Sequence, residues 1–159
     1  MDIKQIGSDA VIAAAVARAQ LMGVPMNIAV FDAGANLKAF LRMDDALLGS
    51  ADIALGKART AALFGMNTEA IGEYCRPGGP SYGLENSNGG LVVFAGGVPL
   101  RDATGTLVGA VGVSGGSPDQ DAAVANAAAA AFERQEGAPW SIGSAPGQAA
   151  SLQALPPQS

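Results

Sequence analysis

Two hairpin signals most constrain what this chain can fold into. Residues 26–31 place Met26, Ile28 and Val30 on one face of an extended segment. Asp32-Ala33-Gly34-Ala35-Asn36 then supplies turn chemistry, and residues 37–43 return as a second strand. The same grammar recurs over residues 98–101, a turn at Asp102-Ala103-Thr104-Gly105, and residues 106–113. A further strand is expected over residues 91–95. Hairpins of this kind build an antiparallel sheet with helices laid on it, rather than a doubly wound parallel one.

Helical signals frame the hairpins. Residues 8–22 read as a helix, with Ser8 as its N-cap and Gly23 as its stop. A second helix is expected from Ser50 to about Gly65, with Ile53, Lys57, Thr60 or Ala61, and Phe64 near one face. A short helical turn over residues 68–75 leads into Arg76-Pro77-Gly78-Gly79-Pro80-Ser81-Tyr82-Gly83, too rich in breakers for regular structure. This loop continues to Gly90, and loops of such length are often functional. The last helix opens at Ser117-Pro118-Asp119-Gln120, a capping-box pattern with Pro at the first helical position, and runs to about Arg134.

The filling of this framework is unusual. Hydrophobic residues make up 49% of the chain but aromatic ones only 5%, so Ala, Val, Leu and Ile must form the core. Small side chains bury little area each, and such a chain gains by covering more surface with another copy. A homo-oligomer, a dimer or a higher closed assembly, is expected. The 159 residues fit one domain over 1–136. An arm rich in Pro, Gly and Ala follows over 137–159, in which Trp140, the only tryptophan, is expected to anchor on its own or a neighbouring subunit.

Charge and absent residue types remove whole classes of function. A net charge of −5 with nine scattered Lys and Arg excludes nucleic acid as a partner. The start, Met1-Asp2-Ile3-Lys4-Gln5, lacks the basic and apolar regions of a signal peptide, and no stretch has the length of a membrane span. No membrane partner is expected, and the cytoplasm is the expected location. With no histidine and the single cysteine Cys75, His-based triads, His or Cys-rich zinc sites and internal disulfides are impossible, and no metal site is expected. Gly49 with Gly56-Lys57 fails the phosphate-loop spacing, and the glycines at 109, 112, 115 and 116 fail the dinucleotide fingerprint.

Several residues remain as candidates. Arg42 with Asp44 at a strand end can present a guanidinium and a carboxylate to a small acid, or Arg42 can pair with Asp44 or Asp45. Lys57, among small apolar residues on the second helix, can serve as a base or Schiff-base amine, or it can pair with an acid or snorkel to solvent. Thr60 shares its helix and joins the ligand-binding candidates. Tyr74, Cys75, Arg76 and Tyr82 flank the Gly/Pro loop as a pocket lid, with Cys75 either a thiolate helped by Arg76 or an inert buried thiol. Gly96 and Gly97, with Ser114 and Gly115, can offer backbone amides to a carboxylate, near the positive end of the last helix.

Five blocks of this sequence resemble the GlcG/HbpS-like family, named for a glycolate-operon protein and a secreted haem-binding protein. They are Asn27-Ile28-Ala29-Val30-Phe31-Asp32-Ala33-Gly34, then Leu41-Arg42-Met43-Asp44-Asp45-Ala46, then the helix centred on Lys57-Ala58-Arg59-Thr60-Ala61-Ala62. Gly96-Gly97-Val98-Pro99-Leu100 follows, and Gly109-Ala110-Val111-Gly112-Val113-Ser114-Gly115-Gly116 with Asp119-Gln120-Asp121 completes the set. The resemblance implies an α+β, profilin-like fold: three layers α/β/α around a central antiparallel sheet of about five strands. It also implies a small-molecule ligand, with a tetrapyrrole such as haem as the named candidate cofactor. No histidine is available as axial ligand, so iron would fall to Tyr or to Cys thiolate.

The expected function is therefore small-ligand binding, in a pocket between the second helix, the Gly/Pro loop and the glycine-rich strand ends. The alternative is a cofactor-independent isomerase, lyase or proton-transfer enzyme acting on a small organic acid, with Lys57 or Asp44 as base. A third reading is a structural partner of a neighbouring catabolic enzyme.

Overall fold

A computed structural model describes residues 1–137, and the Trp140 expectation lies outside them. The elements are α1 (Gln5–Met22), β1 (Asn27–Asp32), β2 (Leu37–Arg42), α2 (Ser50–Phe64), α3 (Thr68–Cys75), a 3-10 turn (Leu84–Asn86), β3 (Gly97–Arg101), β4 (Leu107–Ser114) and α4 (Pro118–Gly137). The four strands form one antiparallel sheet in the order β2-β1-β4-β3. Helices α1 and α4 cover one face and α2 the other, which is the three-layer α+β arrangement that the resemblance implies.

Strand periodicity sorts the core into two halves. Ile28 and Val30 of β1, with Val111 and Val113 of β4, point toward α1 and α4, where Val11, Ala15, Val124, Ala128 and Phe132 meet them. The alternate residues Ala29, Phe31 and Ala110 point toward Ala54, Ala58, Ala61 and Ala62. On this second face the side chains are so small that α2 rides directly on the sheet. A Cβ on Gly112 would overlap the Ala54 carbonyl oxygen and the Ala58 amide nitrogen, so only glycine permits this approach.

Helix ends follow the local chemistry. Gly23 and Gly65 take left-handed conformations, φ 68° and 61°, and stop α1 and α2. At α4 the capping box forms: Gln120 N donates to Ser117 Oγ at 3.2 Å, and Ser117 N donates to Gln120 Oε1 at 2.9 Å.

Two expectations need correction. Helix α1 starts at Gln5, and Ser8 lies inside it, its hydroxyl donating to Gln5 O. The reason is Ile3, buried and bonded through its amide to Val108 O, which orders the chain before Ser8 is reached. Residues 91–95 form no strand, so among the described residues the sheet has four strands rather than about five. Their backbone is bound piecemeal. Leu91 N donates to Glu85 O, Val92 N to Thr60 Oγ1, and Phe94 O accepts from Thr68 Oγ1, so no neighbouring strand is engaged.

Candidate functional site

The chemistry of the α2 face centres on one buried ion pair. Lys57 projects from the middle of α2 into the layer between helix and sheet, with no exposed surface. Its Nζ donates to Asp121 Oδ2 at 2.7 Å and to Val113 O at 2.9 Å, and lies 4.8 Å from the centroid of the Phe94 ring. Burial pushes the Lys57 ammonium below the ordinary lysine range, while the carboxylate of Asp121 pulls the other way. The other oxygen of Asp121, Oδ1, accepts the amides of Gly115 at 3.1 Å and Gly116 at 2.9 Å. One carboxylate thus ties α2, the end of β4 and the first turn of α4 together.

The segment before β3 is laid over this pair. Gly96 has φ 122°, and a Cβ there would stand 2.6 Å from Val113 O and 2.7 Å from Lys57 Nζ. Thr68, buried at the start of α3, donates to Phe94 O at 2.7 Å and accepts Gly97 N at 2.9 Å. Val113 N donates to Gly96 O at 2.9 Å. Each of these groups fixes the backbone of residues 94–97, and with it the position of the Phe94 ring.

An open cleft of about 590 Å³ lies between α3, the Gly/Pro loop and residues 93–95. Val93, Phe94, Cys75 and Tyr82 line it together with the acids Glu69, Glu73 and Glu85, and Arg76, also in the lining, forms an ion pair with Glu73 at 3.1 Å. Phe94 is 44% and Tyr82 73% exposed, so two aromatic rings stand open to whatever enters. Cys75 is buried and donates to Ile71 O, and burial, reinforced by the Glu85 carboxylate, pushes its thiol above the usual range. Glu85 Oε2 is buried with no hydrogen-bond partner, an acceptor that the fold itself leaves open.

The structure gathers part of the sequence-level candidate set and disperses the rest. Lys57, Gly96 and Gly115 meet around Asp121, Gly97 lies against the Lys57 backbone, Ser114 is buried at the end of β4, and Thr60, on the same helix as Lys57, accepts the amide of Val92. The amides of Gly97 and Gly115 are engaged by Thr68 and Asp121. Tyr82 lies in the cleft, whereas Tyr74 is exposed on α3 away from its lining. Arg42 and Asp44 are exposed at the end of β2, and among the described residues no ion pair joins Arg42 to Asp44 or Asp45.

Asp121, Phe94, Thr68, Glu85 and Val93 are among the residues that sequence reasoning missed. A signal for Asp121 existed: it stands on the stripe of Val124, Ala125, Ala128 and Phe132 that α4 turns inward. An acid on one buried stripe and a lysine on another, among Ala54, Ala58 and Ala61, already imply a partnership. No comparable signal marks Phe94, whose role depends on an irregular segment.

A second open groove, about 660 Å³, runs between α1 and the edge strand β2, lined by Ile12, Val16, Ala17, Phe40 and Leu41 with Asp9. It brings no set of polar groups together. Among the described residues no helix is long and apolar enough to cross a membrane.

Comparison with known proteins agrees with this architecture. The family model described as haem degrading protein HbpS-like matches residues 6–130. An uncharacterized 15.0 kDa protein of Citrobacter freundii, from the dhaT-dhaS intergenic region, is 41% identical over 117 residues, 73% of this chain and 82% of that protein. The corrinoid adenosyltransferase PduO of Salmonella typhimurium is 42% identical over 121 residues, 75% of this chain but 35% of PduO, so the likeness covers about a third of that enzyme. The crystal structure of a PduOC:heme complex superposes with a TM-score of 0.78 at 37% identity, covering 82% of this chain and 95% of that one.

Proposed function

This chain belongs to the HbpS-like family, and from that premise we propose that it binds a small planar ligand of the tetrapyrrole class in the cleft beside Phe94. The observation that carries the reading is the cleft itself, a 590 Å³ opening with two exposed aromatic rings, in a fold whose 37% identical relative was crystallised with haem. Its volume is that of small-molecule and cofactor sites, and an aromatic wall suits the face of a macrocycle. Arg76, among the cleft's lining residues, is the cation for a propionate.

The same residues fit iron less well than they fit the organic ring. The sequence holds no imidazole, and the Cys75 thiol is kept protonated and bonded to Ile71 O. The oxygen donors in the cleft are the Tyr82 hydroxyl and the carboxylates of Glu69, Glu73 and Glu85. No chemistry at the iron is therefore derived, and the function is binding.

Titration with haemin tests this. The expected result is a saturable shift of the Soret band at one equivalent per chain, weakened by Tyr82→Ala and by Val93→Glu. A spectrum that stays that of free haemin at all protein concentrations would overturn the reading. The expected homo-oligomer belongs to the same proposal, supported by the exposed apolar residues Leu37 and Phe40 on edge strand β2. A monomer mass by light scattering would remove it.

A further inference from the structure

We infer that Lys57 and Asp121 are positioning residues for the cleft: without touching a ligand themselves, they set where the Phe94 ring stands. The inference rests on the cleft reading above but adds to it a second layer of residues. Its basis is the chain of contacts running from α4 to the cleft wall. Asp121 Oδ2 holds Lys57 Nζ at 2.7 Å, and Nζ lies over the Phe94 ring at 4.8 Å; Phe94 lines the open cleft, whereas Lys57 and Asp121 do not. A Cβ on Gly96 would stand 2.7 Å from this ammonium and 2.6 Å from Val113 O, so only glycine lets the segment before β3 pass this close to the pair. Thr68 clamps that path at both ends, through Phe94 O and Gly97 N.

The proton inventory of the amine favours this role over a nucleophilic one. An ammonium has three N–H groups. Two are given to Asp121 Oδ2 and Val113 O, and the third side of the group faces an aromatic ring. The amine is fully buried and is not among the residues that line the cleft, while Phe94 is. A ligand would therefore meet the ion pair only as the stiffness and placement of an aromatic wall.

The pair also couples distant elements. Because Asp121 Oδ1 holds the amides of Gly115 and Gly116, a displacement of Phe94 is transmitted through Lys57 to the junction of β4 and α4. Burial of both partners makes the coupling stiff, since neither can turn to water for a replacement bond.

The test is a mutant cycle. In the double variant Lys57→Leu/Asp121→Asn the charges are removed together, while the introduced side-chain amide keeps an oxygen acceptor for the two glycine amides, so the fold survives. Phe94→Leu removes the ring alone from a half-exposed position. Each is expected to weaken haemin binding about tenfold, and the triple variant to bind within about threefold of the double, because both changes act through one ring. Multiplicative losses, about a hundredfold in the triple, or full affinity in the double would overturn the inference.

Hydrogen exchange supplies an arm that does not depend on haemin. The amide of Gly97 is expected to exchange at least about tenfold faster in the double variant than in the parent, at equal thermal stability. Unchanged exchange there would overturn positioning by the pair even if haemin binds. Failure of the parent to bind haemin, with faster exchange in the double variant, would overturn the tetrapyrrole reading and uphold the positioning.

Discussion

The two faces of the sheet are packed by different means. Toward α1 and α4 the interface is built from Ile28, Val30, Leu100, Val111, Val113 and Phe132, branched and aromatic side chains that interlock by volume. Toward α2 it is built mainly from alanines and Gly112, with Phe31 as the one large side chain, so that backbone lies against backbone at Gly112, and Lys57, Asn27, Thr60, Thr68 and Ser114 are buried here as well. The first face stores its stability in apolar area. The second stores little there and depends on hydrogen bonds, an ion pair and close approach. Buried polar groups are expensive unless satisfied, so a face that concentrates them beside a cleft is where function is to be sought.

The largest expected effect breaks the polar face through its charges. Asp121→Ala leaves Lys57 buried without its counter-ion and two glycine amides without an acceptor. A loss of about 3–5 kcal/mol is expected from denaturant unfolding. A loss below about 1 kcal/mol would mean that the ammonium finds water, and that the α2 face is not closed.

A smaller pair of effects sharpens the contrast between the faces. Leu100→Ala, on the α1/α4 side, removes only volume and is expected to cost about 3 kcal/mol by cavity formation. Gly112→Ala, on the α2 side, adds a single methyl group and is expected to cost about 2 kcal/mol, because the atoms it meets belong to the α2 backbone. One face should fail by losing carbons and the other by gaining one. If Gly112→Ala stabilises the protein, the close approach of α2 is wrong.

The smallest effect concerns the hairpin tips, which belong to neither packing scheme. Asp32 is held below the ordinary carboxyl value of 3.8 chiefly by the Asn36 amide, and Asp102 chiefly by the Thr104 hydroxyl. The unfolded chain therefore takes up these protons more readily than the folded one as acid is added. Stability from both turns is whole above about pH 4 and is lost as pH falls below it, through the lowered folded values. Asp32→Asn and Asp102→Asn should each flatten the acid limb of a stability–pH profile. The loss should appear in the neutral region and vanish at the acid end, where the parent's own carboxyls are protonated.

Much of the fold was legible because short-range chemistry decided it. Both hairpin turns, the glycine stops at Gly23 and Gly65, and the capping box at Ser117 and Gln120 follow from a few neighbouring residues. Residues 91–95 read as a strand because Leu91, Val92, Val93 and Phe94 favour extended backbone. What they lack is a partner strand, and the hydroxyls of Thr60 and Thr68, 32 and 26 residues away in the chain, bind their backbone instead. That competition is tertiary and leaves no local trace.

The site was legible in its parts and not in its assembly. Lys57 stood out as a charge on an apolar helix face, and pairing with an acid was one of its open readings. Which acid it meets depends on the register of α4 across β4, set by the Gly115-Gly116 turn and by Asp121 itself. Arg42 and Asp44 show the opposite case, residues of suitable chemistry that the fold leaves exposed at the end of β2 and outside the hydrogen bonds of Asp121.

The most direct measurement is a crystal structure of the protein grown with haemin. The account predicts planar density in the cleft between α3, the Gly/Pro loop and residues 93–95, stacked on Phe94, with the Lys57–Asp121 pair intact. Density in the groove between α1 and β2, or a cleft left empty at saturating haemin, would contradict it.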